Sequence, residues 1–393
     1  MNIFAAVMTG KGTGAISTVQ VFGDSAEAVI KKIFKPTGTK SAKLNPGEIL
    51  LGTICDGDEV IDQVTIGCEG PQTFAINCHG NPLIVEMIMQ LLKRRGAELL
   101  TAEQLLAKIL IAQKPSGTIT IEAKLAQAKA KTIKGTKIIA NQIDAGLTKK
   151  AQDWLNEKDE NSLDKIKTEA SEILQKSQTA KLIIFGCTAA LIGPPNSGKS
   201  TLLNHLTGRQ KSIVTDIKGT TRDWVEAQCR IGSLNVTLID TAGLSEDFAG
   251  EENTIEKAAQ KKTAEILEQA DIVLLILDNS QTNDQLDERI LKKIAHKKTI
   301  TVLNKSDLAA KFDAGRLPKK LSNIVQISAK FGAGIEELKG KFLQNCGTVN
   351  FDLSQPVCFT ARQENLLKQL TTAKSKPQAA SIITDLLNGQ LCV

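Results

Sequence analysis

Gly193-Pro194-Pro195-Asn196-Ser197-Gly198-Lys199-Ser200 decides the fold. The octet fits G-x-x-x-x-G-K-[ST]. It follows the apolar run Ala189–Ile192 directly and precedes a helical pattern at Thr201–Leu206. Strand, glycine-bearing loop and helix in that order wrap backbone N–H groups around phosphates, and the helix N-terminus adds positive potential. Residues Asn196, Ser197, Gly198, Lys199, Ser200 and Thr201 then surround the phosphates. Lys199 bridges the β- and γ-phosphates and Ser200 ligates Mg²⁺. The bland alternative is a chance glycine-rich turn.

Three further motifs follow in order. Asp240-Thr241-Ala242-Gly243 comes after the strand-like run Val236–Ile239. There a carboxylate holds Mg²⁺ through water, and the Gly243 N–H senses the γ-phosphate. Asn304-Lys305-Ser306-Asp307 comes after Ile300–Leu303. A carboxylate at Asp307 accepts both guanine N1–H and N2–H₂, which adenine cannot offer, and a site built on those bonds is strongly selective. Ser328-Ala329-Lys330 comes after Ile324–Ile327 and meets guanine O6. Four motifs, each at the C-terminal end of a strand, specify a GTP-binding domain, because ligands of open α/β sheets sit there.

The rest of the chain fits around this domain. Residues 183–348 alternate short apolar runs, Ile272–Leu277 among them, with helical stretches. That pattern predicts a mixed, mostly parallel sheet covered on both faces. Residues 1–115 read as a small α+β unit, with strands near Ile3–Met8, Ala15–Phe22, Ile49–Cys55, Val60–Cys68 and Thr73–Cys78, and a helix opened by Pro82. Residues 116–182 and 349–393 read as two parts of a helical domain. Gly135 and Gly146 are expected to interrupt the first part, and Pro377 to break the second.

Composition limits the partners. The 393 residues are 41% hydrophobic and 23% charged, values of a globular chain rather than a disordered one. Aromatics are 3% with no Tyr, too few for a base-stacking groove. The net charge of +6 permits an anionic partner such as RNA without requiring one. Between Lys124 and Lys181 there are twelve Lys and eight acids, read as a solvated helix face with an RNA-binding surface as the alternative. Nothing points to DNA. The eight cysteines include no Cys-x-x-Cys pair, and with three histidines a zinc site is not expected. The N-terminus lacks a basic, cleavable leader and no run of 18 apolar residues occurs, so a cytoplasmic protein with no membrane span is expected.

Asn196, together with Gly219-Thr220-Thr221-Arg222-Asp223, resembles the potassium-activated GTPases of the MnmE (TrmE) family. The resemblance implies a Ras-like P-loop G domain inserted in a helical domain, with a small N-terminal α+β dimerisation domain. It implies that Thr221 ligates Mg²⁺, and that Asn196, Thr220 and the carbonyls of Thr215 and Ile217 coordinate K⁺. K⁺ would then stand where other GTPases place an arginine finger. The alternative for Asn196 is a residue that only shapes the loop. The family also places a water-orienting Glu after the Asp-Thr-Ala-Gly motif. Glu251, Glu252 and Glu256 compete, and aligning back from Glu268-Gln269-Ala270-Asp271 selects Glu256. Its alternative is a solvated helix glutamate. Lys199, Thr221 and Glu256 are thus the candidate catalytic residues.

Landmarks outside the G domain also match in order, among them Gly10–Gly14, Val19-Gln20-Val21-Phe22-Gly23, Ile61-Asp62-Gln63, Cys78-His79-Gly80 and Leu125-Ala126-Gln127-Ala128. The family's N-terminal domain dimerises and binds a folate one-carbon donor. Here its usual Arg is Gln20, its usual Glu is Ala75 and its usual Lys is Glu122. Those changes remove groups that would pair with folate, so folate is not expected to bind. His79 is read as structural. The family's C-terminal Phe-Cys-Ile-Gly-Lys is replaced by Gln390-Leu391-Cys392-Val393, where Cys392 is a shortened remnant or an unrelated thiol. Two expectations follow. One is a homodimeric, K⁺-activated GTPase working in tRNA wobble-uridine modification with an MnmG-like protein. The other is a regulatory or assembly GTPase of the same lineage that has lost folate binding and tRNA modification.

Overall fold

The computed structural model describes residues 2–10, 12–38, 45–70, 72–113, 117–157, 162–208, 225–240, 264–285 and 288–391. The chain divides into two compact units, residues 1–125 with 388–393, and residues 126–387.

In the first unit, strands β1 (Phe4–Val7), β2 (Ile16–Phe22), β3 (Phe34–Pro36), β4 (Ile49–Asp56), β5 (Glu59–Gly70), β6 (Thr73–His79) and β7 (Glu98–Leu99) form one sheet of order β3-β4-β5-β6-β2-β1-β7. All neighbours are antiparallel except β1 and β7. Alternation in β6 puts Phe74, Ile76 and Cys78 on the buried face. Helices α1 (Ala26–Ile33) and α2 (Pro82–Arg94) cover that face through Ile30, Ile33, Leu91 and Leu92. Each such side chain contributes roughly 1.5–3 kcal/mol by leaving water. Pro82 opens α2 as the sequence predicts, and the Asn81 side chain caps it by accepting the Leu83 N–H at 3.0 Å. Helix α3 (Ala102–Ala112), started by a Thr101–Gln104 capping box, packs Leu105 and Ile109 against Ala6 of β1. Helix α4 (Thr118–Gln127) follows, and its Thr118 hydroxyl donates to the Gly389 carbonyl at 2.7 Å. The His79 ring is exposed, and its Nδ1 lies 2.7 Å from Asp62 Oδ1.

The second unit begins with α5 (Ile133–Asp144), α6 (Leu147–Asn156) and α7 (Ser162–Phe185). Gly135 does not interrupt a helix. It lies inside α5, where an added Cβ would come within 2.7 Å of Ile184 Cα, so its role is close helix approach. Gly146 does punctuate, as the N-cap of α6. The sheet follows with β8 (Cys187–Ile192), α8 (Lys199–Thr207), β9 (Val225–Ile231), β10 (Leu234–Asp240), helical residues 264–269, β11 (Ile272–Asp278), α9 (Glu288–Ile294), β12 (Thr299–Asn304), β13 (Ile324–Gln326) and α10 (Ile335–Asn345). Strand order is β13-β12-β11-β8-β10-β9, parallel throughout except β9 against β10. Every residue of β11 and β12 is buried, the signature of strands covered on both faces.

Helices α11 (Ala361–Thr371) and α12 (Lys376–Asn388) close the unit. The expected break is present, at residues 372–375 just before Pro377. Pro377 itself occupies the first turn of α12, where its missing N–H costs no helix bond. The fully buried Gln142 fastens the segment before α11 to the helices before the G domain. Its Oε1 accepts the N–H groups of Leu147 and Val357, and its Nε2 donates to the Gln355 carbonyl. Among the described residues, no helix is long and apolar enough to cross a membrane.

Candidate functional site

The site grows from the turn between β8 and α8. Gly193 lies so close to β11 that a Cβ there would stand 2.0 Å from the Ile276 carbonyl oxygen. Gly198 has φ +95° and would place a Cβ 2.1 Å from Asn304 Nδ2. Both positions exclude a side chain, which explains the two glycines of the motif. Asn196 adopts φ +60°, a left-handed conformation that asparagine tolerates better than most residues. The Ser197 hydroxyl is fully buried without a hydrogen-bond partner among the described residues, which fits a loop completed by ligand oxygens.

Lys199 is 5% exposed, and its ammonium donates to the carbonyls of Gly193 (2.9 Å) and Pro194 (2.8 Å). An ammonium has three donors, so one is left for a phosphate. Burial lowers the Lys199 pKa below its ordinary value, and the charge of Asp240 opposes that shift. The Ser200 hydroxyl donates to Asp240 Oδ2 at 2.7 Å. Residues 40 positions apart thus put a hydroxyl and a carboxylate together, a hard-oxygen set suited to Mg²⁺.

The base end is cross-braced. Asn304 Nδ2 donates to the Ser197 carbonyl at 2.8 Å, and its Oδ1 accepts the Ala329 N–H at 2.9 Å. This one buried amide ties the phosphate loop to the Ser328-Ala329-Lys330 loop. The Ser328 hydroxyl donates to Asp307 Oδ1 at 2.6 Å and fixes that carboxylate. Lys305, at φ +62°, reaches Asp278 Oδ2 at 2.6 Å. Burial works to raise the Asp278 carboxyl, but hydrogen bonds from Lys305 and Ser280 outweigh it and hold it below its usual value. The Lys330 ammonium lies 5.1 Å from the centre of the exposed Phe331 ring.

Asp278 is the residue that motif reading missed. Its signal was present, since it ends the apolar run Ile272–Leu277 as Asp240 ends Val236–Ile239. Asn196–Thr201, Asp240, Asn304, Lys305, Asp307 and Ser328–Lys330 gather at the C-terminal ends of the strands. Thr215, Ile217, Thr220, Thr221, Gly243, Glu251, Glu252, Glu256 and Cys392 lie outside the described residues.

A G-x-x-x-x-G-K-S loop, a hydroxyl–carboxylate pair and a carboxylate fixed by Ser328, on a mostly parallel sheet, define a P-loop GTPase. Residues 188–305 match the family model of the 50S ribosome-binding GTPases, and residues 3–104 match that of the GTP-binding protein TrmE N-terminus. The tRNA modification GTPase MnmE of Enterococcus faecalis is 31% identical over 381 residues, covering 86% of this chain and 80% of that one. The MnmE of Lactobacillus delbrueckii subsp. bulgaricus is 31% identical over 428 residues, covering 99% and 89%. The chain belongs to the MnmE family of tRNA modification GTPases and is a GTP hydrolase. Among solved structures, the G domain of the T. maritima FeoB iron transporter is 31% identical and covers 40% of this chain and 98% of that one, with a TM-score of 0.33.

Proposed function

We propose that this protein is a cytoplasmic, homodimeric GTPase whose hydrolysis cycle serves tRNA wobble-uridine modification, with an MnmG-like protein as partner. The observation that carries the reading is the similarity to tRNA modification GTPases through both units, with the nucleotide residues in place. Asp307, held by Ser328, accepts the guanine N–H groups. Lys199 offers its third donor to the phosphates. Ser200 and Asp240, with Thr221, would hold Mg²⁺, which when bound neutralises charge on the transferring phosphoryl group. Asn196, Thr215, Ile217 and Thr220 would hold K⁺, which supplies further positive charge at the same place. Glu256 orients the lytic water.

Folate is left out of this reading. Gln20 Nε2 is engaged by Glu69 Oε2 at 2.6 Å, and Ala75 and Glu122 are buried, so none of the three positions offers a cation. GTP turnover in K⁺ against Na⁺ at equal ionic strength tests the mechanism. Strong K⁺ stimulation that disappears in Asn196→Ala is expected, and equal turnover in both salts refutes the K⁺ site. Nucleoside analysis of tRNA from a deletion strain tests the biological role. Unchanged wobble uridines would refute it.

A further inference from the structure

The nucleotide motifs occupy the C-terminal ends of the strands. The N-terminal end of β12 opens instead on a cleft of about 600 Å³ that GTP chemistry does not use. Its floor is Ile294 and Leu321, both buried members of the G-domain core. Its rim is His296, Lys297 and Lys298 after α9, with Lys320 from the facing loop. Among the described residues, no carboxylate lines it. Lys292 and Lys293 stand in the last turn of α9, and Lys319 precedes Lys320 in the chain.

The rim residues have different duties. The Lys297 ammonium donates to the carbonyls of Glu268 (3.2 Å) and Ala270 (3.0 Å) and serves the fold. Lys298 and Lys320 are exposed. Asp271, the carboxylate that feels Lys297 and Lys298, accepts the Thr188 N–H at 2.7 Å.

This chemistry selects a ligand class. Lysines are point charges without the planar fork of arginine, and among the described residues no aromatic ring lines the cleft to stack a base. Such a surface grips phosphates without reading sequence. Asn323 and Asn345 add amides suited to sugar and phosphate oxygens. The floor itself offers little apolar surface, with Ile294 only 1% exposed and Leu321 5%; Leu291, Ala295 and Pro318 add the rest of the apolar lining.

We propose that this cationic cleft docks the phosphate backbone of tRNA, at the end of the G-domain sheet remote from GTP. The proposal rests on the tRNA reading above and adds the surface. The test titrates labelled tRNA with the full-length protein by fluorescence anisotropy at several salt concentrations. The variants are K298Q/K320Q, the single K320Q, and K32Q/K93Q as a control on exposed lysines elsewhere.

Each lost phosphate contact lowers the salt slope by about 0.7, which is about fivefold in affinity at 0.1 M salt. The double variant should therefore bind about 25-fold more weakly, with a slope reduced by about 1.4. K320Q should lose about fivefold, and GTP turnover without tRNA should stay unchanged in both. An affinity within twofold of wild type, or an equal loss in the control, overturns the proposal. If poly-L-glutamate binding falls while tRNA binding stays, the cleft docks an acidic protein and the proposal is wrong. Failure of the wild-type chain to bind tRNA at all would instead sink the reading beneath it, and the cleft's role with it.

Discussion

Asn304→Ala isolates the brace between the two ends of the nucleotide site. The substitution deletes the Nδ2 donor to the Ser197 carbonyl, 2.8 Å away, and the Oδ1 acceptor of the Ala329 N–H, 2.9 Å away. Asn304 is 2% exposed, so water does not readily replace it. A buried polar group left unpaired costs about 1–3 kcal/mol, hence about 2–6 kcal/mol for the two. Entry of a water into the space left by the amide moves the sum toward the lower end. The free protein relieves that cost by letting the two loops part, and GTP binding restores it; at about 2.8 kcal/mol, a hundredfold, the GTP Kd should rise about 100-fold. The preference for GTP over xanthosine triphosphate should survive, because Asp307 keeps its own tether to Ser328. Competition titrations with both nucleotides, read by a fluorescent GTP analogue, give the two quantities together. GTP affinity within threefold of wild type would show that the loops hold their places without Asn304 and would refute the reasoning.

Asp307→Asn should instead change the preference as well as the strength of binding. It should lower GTP affinity by about 10- to 150-fold, since a hydrogen bond to a charged group contributes about 1.5–3 kcal/mol, and raise affinity for xanthosine triphosphate in the same assay. Gly198→Ala should abolish measurable GTP binding, because the new methyl meets Asn304 Nδ2 at 2.1 Å in a backbone with φ +95°. An affinity near wild type in equilibrium dialysis would contradict that geometry. Glu364 accepts hydrogen bonds from Lys181 and Lys368, which hold its pKa near 2 against the ordinary 4.5. A depressed carboxylate stabilises the fold above about pH 4.5 and loses that contribution as the pH falls toward 2. Glu364→Gln should therefore cost about 1 kcal/mol at pH 7, allowing for solvent screening of a partly exposed pair. In urea denaturation the deficit should narrow below pH 4.5, and a deficit independent of pH would exclude the charge as its source.

The nucleotide site was legible because its chemistry is local. A loop of eight residues between a strand and a helix shows its purpose by spacing alone, and Asp240 and Asn304 announce themselves by ending apolar runs. What escaped was the bracing. Nothing near Asn304 indicates that its amide will meet Ser197, 107 positions earlier. Nothing near Asp278 indicates that Lys305 will reach it, although the strand-end position was visible. The strand Val225–Ile231 is legible as the alternation Val-Glu-Ala-Gln-Cys-Arg-Ile, which suits an edge strand, but not as a continuous apolar run of the kind that marks the central strands. Gly135 misled because a glycine in a helix reads as a breaker until the backbone of Ile184 is known to lie against it. Gln142 drew no attention because its partners Val357 and Gln355 lie 215 and 213 positions away.

The bracing also explains how separate motifs become one site. Phosphates and base are handled by loops from different strands, and each loop taken alone would sample many conformations. Ser328 fixes Asp307, Asp278 fixes Lys305, and Asn304 joins the base end to the phosphate end. Each tie spends a protein hydrogen bond on geometry rather than on the nucleotide, which lowers the ordering cost left for the ligand to meet. Asn304 is the only one of these three whose bonds span both ends. A nucleotide that engages only the phosphate loop therefore meets a base loop already held in place, and the reverse holds equally. On the proposed roles, Asp307 and the amide behind it both set the strength of binding, and Asp307 alone sets the preference for guanine.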